Sequence, residues 1–216
     1  MRKKLPIFLL ITALFLFTVW TIFVVTDHTA MQAFNEAVYA PMAGRITPAL
    51  TTLATWIGSL THWYSYTPII LLLLILSRTR MNIGLPIAIT LSVSAILGPV
   101  ILKSIFAIER PTINQLIDVG GFGYPSGHSM NAVVFFGMCT VMVLRYAKNR
   151  PLKIGFTAFA ILAFLSVGLS RLYLGVHTGA DVIGGYLAGS AVICAAILVE
   201  RYIRRKAAQK SETAYG

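Results

Sequence analysis

The amino-acid sequence predicts an all-α integral membrane protein with six transmembrane helices in one bundle. Of its 216 residues, 57% are hydrophobic and only 12% are charged, and several uncharged runs approach 20 residues. A helix that crosses the hydrocarbon core needs about 20 apolar residues, whereas a soluble domain carries about 25% charged residues. Together with a mean hydropathy of +0.78, these observations exclude a soluble globule, a disordered chain and a secreted disulfide scaffold.

The predicted crossings follow one another along a single membrane-embedded domain, residues 1–216. Five of them are uncharged runs, and the shorter ones borrow flanking residues to reach spanning length: Leu5–Thr26, Met81–Leu102, Ser129–Leu144, Ile154–Ser170 and Val182–Val199. The stretch Ile46–Ser77 is too long for one crossing. We therefore expect Thr47–Leu60 to lie at the membrane interface and the second crossing to begin near Ser59. Four aromatic side chains of this stretch are expected to join an interfacial belt: Trp56, Trp63, Tyr64 and Tyr66.

The distribution of charge predicts the orientation of the chain. A formal net charge of +11 ordinarily suggests an anionic partner such as nucleic acid. When the N-terminus is cytoplasmic, however, 14 of the 18 Lys and Arg residues fall in cytoplasmic segments. The positive-inside rule then places both termini in the cytoplasm of a cell-membrane protein and makes a nucleic-acid partner unexpected. The first apolar run is too long for a signal peptide, so a retained helix is expected.

The remaining charged residues collect on the extracytoplasmic face. The ends of four predicted helices bring together three cations, two histidines and one carboxylate: Lys103, Arg110, Arg171, His128, His177 and Asp181. Each residue alone has an ordinary explanation, such as a Lys that extends towards water, an interfacial His or a helix-capping Asp. Charged groups at membrane depth are costly unless they are paired or hydrated. The cluster therefore indicates a site for an anion, such as a phosphate, that is bound and then attacked.

Local spacing refines this prediction. Ser126 and Gly127 open the fourth predicted helix, where Ser is a favoured N-cap, Gly allows a ligand to approach the backbone and the helix N-terminus attracts anions. His177 and Asp181 are four residues apart, which places them on one face of a helix. An Asp that accepts from one ring nitrogen leaves the other nitrogen available as a nucleophile.

A metal centre is the alternative interpretation of two histidines and an Asp. The neighbouring cations would repel a metal ion, and carboxylate ligands are too few for a hard cation. We therefore expect neither a metal nor another cofactor at this site.

Three short motifs resemble the signature of the type-2 phosphatidic acid phosphatases, a family of integral membrane lipid phosphatases. All 11 specified positions of the signature are filled, in order, between residues 103 and 181: Lys103 with Arg110-Pro111, then Pro125-Ser126-Gly127-His128, then Ser170-Arg171 with His177 and Asp181. The resemblance implies an active site at the extracytoplasmic end of the bundle and a lipid phosphate as substrate. Phosphatidylglycerophosphate, phosphatidic acid and undecaprenyl diphosphate all remain possible.

The resemblance also implies a role for each motif residue. His177 would attack phosphorus to form a phosphohistidine, Asp181 would orient it, and His128 would protonate the departing lipid oxygen. The phosphoryl oxygens would be bound by five residues: Lys103, Arg110, Arg171, Ser126 and Gly127.

Several alternatives stay open at this point. A lipid phosphotransferase could share every motif residue, and a sensor could keep the site for binding only. A transporter would place functional charges near the bilayer midplane, whereas these charges lie at helix ends. The loop Thr112–Tyr124, which contains three glycines, is either a connector or a movable lid. The oligomeric state is open as well.

Overall fold

The computed structural model describes residues 4–26, 28–62, 65, 68, 90, 98–112 and 114–215. Within these ranges the chain forms seven α-helices and no strand. The helices are α1 (Leu5–Thr26), α2 (His28–Ala43), α3 (Pro48–Ser59), α4 (Gly98–Phe106), α5 (Gly127–Tyr146), α6 (Arg150–Tyr173) and α7 (Gly179–Tyr215).

Four of these helices are long and apolar enough to cross a membrane: α1, α5, α6 and the Gly179–Lys206 part of α7. They coincide with the first, fourth, fifth and sixth predicted crossings. The chain is thus an integral membrane protein whose regular secondary structure is helical throughout the described residues. Most of the second and third predicted crossings lies outside the described residues, as do Trp63, Tyr64 and Tyr66.

One further helix agrees with the sequence prediction, and two features were not predicted. A helix is present where the sequence predicts Thr47–Leu60, as α3 (Pro48–Ser59), and its interfacial position stays a prediction. Helix α2 was not predicted, because its mixture of Ala, Met, Gln and Glu favours a helix without forming an apolar run of spanning length. Helix α7 continues to Tyr215, well beyond Val199. Its polar continuation begins with Glu200, which accepts hydrogen bonds from the guanidinium groups of Arg145 and Arg204.

Side-chain caps determine where three helices begin. Thr47 caps α3, Ser126 caps α5, and Asn149 caps α6 by accepting from the Leu152 N–H at 3.3 Å. The first N–H groups of a helix have no partner within it, so a polar side chain just before the first turn stabilises that start. The Ser126 cap was predicted from the sequence.

Glycines let α7 approach the start of α5. A Cβ on Gly185 would lie 2.5 Å from the Ser126 carbonyl oxygen, and a Cβ on Gly189 would lie 2.7 Å from that of Met130. The pattern of small residues four apart is therefore used for close packing within the bundle. This contact joins the two helices whose first turns carry motif residues.

A buried tyrosine anchors the segment before α5. The Tyr124 ring has no exposed surface and lies 6.5 Å from the Phe17 ring and 5.5 Å from the Phe106 ring, measured between centroids. Its Oη is 2.7 Å from the Thr21 Oγ1 of α1, and Gly184 of α7 leaves room for the ring. Burial raises the pKa of Tyr124 to about 12, so the phenol is neutral at physiological pH.

Candidate active site

The end of α6 positions two of the predicted residues. Gly175 has a φ of 66°, the left-handed conformation that favours glycine. The Val176 N–H donates to the Arg171 carbonyl and the Gly175 N–H donates to the Leu172 carbonyl, which together form a Schellman motif. This turn keeps Arg171 in the last turn of α6 and delivers the chain directly to His177.

The start of α7 positions the other half of the motif. Thr178 Oγ1 accepts from the Asp181 N–H at 3.2 Å, and Asp181 Oδ2 accepts from the Thr178 N–H at 2.8 Å, a reciprocal capping box. The same Oδ2 is 3.3 Å from His177 Nδ1. His177 therefore precedes the N-cap, and the expectation that it shares a helix face with Asp181 is wrong. The two side chains still meet, because the capping box turns the carboxylate back towards the preceding residue.

The environment of His177 keeps its imidazole neutral. The side chain is 1% exposed, and its Nε2 is 3.2 Å from Arg110 Nη1, which also donates to the Val176 carbonyl at 2.8 Å. Burial lowers the pKa of His177 to about 4, against the opposing influence of the Asp181 hydrogen bond and charge. With Nδ1–H donated to Asp181, Nε2 carries the lone pair and accepts from Arg110.

Lys103 and Arg110 hold the glycine-rich loop next to the site. Lys103 Nζ donates to the Phe122 carbonyl at 2.6 Å, while Arg110 Nε donates to the Gly120 and Gly121 carbonyls at 3.2 and 3.1 Å. Burial lowers the pKa of Arg110, a shift that the charge of Asp181 opposes. Two of the predicted phosphate-binding cations thus link the loop to the site through backbone carbonyls.

Arg171, the third cation, is buried against α3. It is 4% exposed, its Nη2 donates to the Ala54 carbonyl at 3.1 Å, and its Nε donates to Ser170 Oγ at 3.2 Å. A Cβ on Gly58 would lie 1.7 Å from Nη2, so that glycine makes space for the guanidinium. A helix outside the three motifs therefore determines where Arg171 lies.

The first turn of α5 lies against both α7 and α4. Ser126 is fully buried, its N–H donates to the Asp181 carbonyl at 2.9 Å, and its Oγ accepts from the Ser129 hydroxyl at 3.1 Å. A Cβ on Gly127 would lie 3.1 Å from Pro99 Cβ. The missing side chain of Gly127 thus allows α4 to pack closely, a use that the sequence analysis did not foresee.

These contacts place the predicted residues at one end of the bundle, where α6 ends and α5 and α7 begin. His177 contacts Arg110 and Asp181, and His128 interacts electrostatically with Arg171, His177 and Lys103.

Sequence reasoning missed two contributors, Gly58 and His62. The His62 ring centroid lies 5.7 Å from that of His128. A signal for His62 was available, because the orientation predicted from charge places all four histidines of the sequence on the outer face, whereas Gly58 carries no local signal. Among the residues that the structure describes, no three His, Cys, Asp or Glu side chains are grouped as metal ligands would be.

Two hollows lie along α2, and one of them borders His177. A cavity of about 200 Å³ is bordered by Asn35, Glu36 and Tyr39 of α2 and by residues around His177, including Leu172. A second hollow, of about 460 Å³, is an apolar groove between α1, α2 and α7 that includes Phe34. Since Phe34 and Asn35 are adjacent in α2, this helix borders both hollows.

The fold and the site define an integral membrane protein with a cation-lined site at the end of its helix bundle. The chain belongs to the PAP2 superfamily, whose family model matches residues 83–205. That range contains all three motifs. It does not contain α1, α2 or α3.

Comparisons with individual proteins agree with this assignment. The chain is 34% identical to phosphatidylglycerophosphatase B of Bacillus subtilis over 91 residues, which are 41% of this chain and 44% of that protein. The match therefore spans less than half of that relative. The chain is also 29% identical to an undecaprenyl-diphosphatase of Sulfolobus acidocaldarius over 156 residues, which are 70% of this chain and 71% of that protein.

A solved structure extends the likeness to nearly the whole chain. The crystal structure of a transmembrane PAP2-type phosphatidylglycerolphosphate phosphatase from Bacillus subtilis superposes with a TM-score of 0.74 at 25% identity. The superposition covers 94% of this chain and 97% of the chain in that crystal structure.

Proposed function

We propose that the protein is a membrane lipid phosphatase that hydrolyses a phosphomonoester or diphosphate of a lipid through a phosphohistidine intermediate. The observation that carries this proposal is the neutral, buried His177, held by Asp181 at Nδ1 and facing a cation at Nε2. A nucleophile of this kind needs one nitrogen oriented by an acceptor and the other available to attack. Membership of the PAP2 superfamily supports the same chemistry.

The first step begins with binding of the phosphoryl group. Its oxygens replace the backbone carbonyls as partners of Lys103 and Arg110, and Arg171 supplies the third positive charge. Moving Arg110 away from Nε2 frees the lone pair of His177 for in-line attack on phosphorus. The Ser126 hydroxyl and the Gly127 N–H are proposed as further donors to the phosphoryl oxygens.

Proton transfer completes the two steps. As the bond from phosphorus to the lipid oxygen breaks, His128 gives a proton to that oxygen, and the Asp181 carboxylate stabilises the imidazolium of His177. In the second step His128 takes a proton from water, the water oxygen attacks phosphorus, and the bond to His177 Nε2 breaks. Phosphate is released and both histidines return to their initial state.

Two features support a lipid as substrate. The helices form a membrane protein. The apolar groove between α1, α2 and α7 offers a surface for a hydrocarbon chain. Phosphatidylglycerophosphate and undecaprenyl diphosphate are proposed first, because relatives are named for phosphatases acting on such lipids. Phosphatidic acid is the third candidate.

The proposal includes a cellular placement. Both termini would be cytoplasmic and the site extracytoplasmic in the cell membrane, supported by the 14 of 18 basic residues that this orientation places inside. The chain would act as one membrane-embedded domain over residues 1–216, with its motif core at residues 103–181. No metal or other cofactor is proposed, because Arg110 lies 3.2 Å from the candidate nucleophile and Lys103 lies nearby, and both would repel a metal ion.

The test is phosphate release by the purified protein from a panel of the three lipid phosphates, with and without a chelator. We expect release that a chelator does not change, a phosphoryl group trapped on histidine after a non-acidic quench, and loss of both in His177→Ala. The Gly155→Ala variant is the control, because nothing lies within 4 Å of that position. Turnover that persists in His177→Ala would overturn the mechanism. Phosphoryl transfer to a second lipid in place of phosphate release would identify a phosphotransferase.

A further inference from the structure

Helix α3 and the turn after it form a wall of the site that belongs to none of the three motifs. The Ala54 carbonyl accepts from Arg171, and Gly58 makes room for the same guanidinium. One turn later the chain reaches His62. These residues lie outside the range matched by the family model, residues 83–205.

His62 and His128 lie beside each other, and a hydrogen bond joins the two segments that carry them. Their ring centroids are 5.7 Å apart, with the ring planes inclined by 57°. Asn131, three residues after His128, donates its side-chain amide to the Thr61 carbonyl at 3.4 Å. Thr61 is 1% exposed, and its N–H donates to the Gly58 carbonyl at 3.1 Å. The first turn of α5 and the turn after α3 are thus joined next to the two rings.

We propose that His62 is a positioning residue for His128, the general acid of the proposed reaction. The inference rests on the proposed function and adds to it a residue outside the signature. General acid catalysis depends on the direction in which the donor nitrogen points, and a ring without a packed neighbour samples several orientations. His62 restricts the His128 ring to the orientation that faces the departing oxygen.

The protonation state of His62 does not change during the proposed reaction. When the bond from phosphorus to the leaving oxygen breaks, the proton moves from His128 to that oxygen, and His128 later recovers a proton from the attacking water. His62 gains and loses none. Two imidazolium rings this close would repel each other, and Arg171 adds a third positive charge, so a neutral His62 is the neighbour that a protonated His128 requires.

The chemistry provides a test that a purely structural role would not pass. General acid catalysis matters when the leaving group is a poor one, such as an aliphatic alcohol, and matters little when it is a nitrophenol. Two micellar substrates are compared: a long-chain alkyl phosphate and a nitrophenyl phosphate that carries the same chain. The variants are His62→Ala, His62→Gln, His128→Ala and Leu60→Ala; Leu60 is the matched control because it is 61% exposed in the same turn.

We expect His62→Ala to lower kcat on the alkyl phosphate about 10- to 50-fold, a part of the roughly 10²- to 10⁴-fold that a general acid contributes. On the nitrophenyl phosphate the loss should stay below about threefold, KM should change little on both, and His62→Gln should retain more activity than His62→Ala. Leu60→Ala should behave as the wild type. If His62→Ala is not monodisperse, the same comparison is made with His62→Gln.

The outcomes separate this inference from the proposed function. Equal losses on the two substrates in the His62 variants, or no loss, would overturn the role of His62 if His128→Ala still discriminates between them. A His128→Ala variant that does not discriminate would instead overturn the assignment of the general acid. Absence of turnover in the wild type would overturn the proposed function itself.

Discussion

Replacing Gly58 by Ala tests whether α3 determines the position of Arg171. The new Cβ would lie 1.7 Å from Arg171 Nη2, whereas ordinary contact begins at 3.4 Å, so the guanidinium has to move by about 1.7 Å. A misplacement of about 1 Å at a reacting group can cost on the order of 10²-fold in rate. We therefore expect kcat/KM for the lipid phosphate to fall about 10²-fold, which corresponds to about 2.7 kcal/mol.

The effect on stability should be smaller, because two contributions oppose each other. Losing the buried hydrogen bond to the Ala54 carbonyl costs about 1.5–3 kcal/mol, since its donor is charged. Replacing Gly by Ala inside a helix stabilises it by roughly 0.5–1 kcal/mol. The variant should therefore remain folded, with a modestly lower Tm.

The assay is steady-state phosphate release in detergent micelles, with thermal unfolding measured on the same preparations. Gly155→Ala is the matched control, since it lies inside α6 with nothing within 4 Å. In an Arg171→Lys background, where the guanidinium is absent, Gly58→Ala should cost much less than in the wild type. A folded Gly58→Ala variant with kcat/KM within threefold of the control would refute the reasoning.

Two further predictions concern the loop between α6 and α7. Gly175→Ala places a side chain at φ 66° and 2.2 Å from the Asn114 carbonyl oxygen, whereas Gly121→Ala has a similar φ of 75° but open space. A positive φ alone costs an alanine about 1–2 kcal/mol. Thermal unfolding should therefore show a clearly larger loss of stability for Gly175→Ala than for Gly121→Ala. Equal losses would contradict the predicted overlap with the Asn114 carbonyl oxygen. The second prediction concerns His177, whose pKa falls from 6.5 in the unfolded chain to about 4 in the folded one. Between these values the unfolded state binds more protons, so stability declines as pH falls. His177→Gln, which cannot take up that proton, should show a shallower decline of Tm between pH 7 and 4.5; parallel curves would argue against a buried neutral imidazole.

The parts of the fold that sequence analysis predicted are those with local causes. An apolar run of 22 residues is sufficient to identify α1, and a Ser before the first turn identifies the start of α5. Helix α2 was missed because it lacks an apolar run of spanning length. The prediction that His177 shares a helix face with Asp181 was wrong, because Thr178 caps α7 and His177 lies before the helix begins.

The residues of the candidate site also fall into a group that the sequence predicted and a group that it did not. The motif residues were found because they lie close to one another along the chain. Ser126 and Gly127 directly precede His128. Arg171 and Asp181 are separated only by the end of α6 and the capping box of α7. Gly58 and His62 were not assigned, because their importance arises from contacts with Arg171 and His128, which lie far along the chain. Nothing in the sequence near Gly58 indicates that a guanidinium will occupy the space beside it.

By itself, then, the sequence determined that this chain is a helical membrane protein and which residues are candidates for binding and attacking a phosphate. Apolar run length, charge distribution and motif spacing depend on neighbours along the chain. The tertiary structure decided which cation faces His177 Nε2, that α3 holds Arg171, and that His62 stands beside His128. Those relations depend on how helices pack across more than 60 residues of sequence, because the close approach of backbones at glycines and the burial of charges are properties of the assembled bundle.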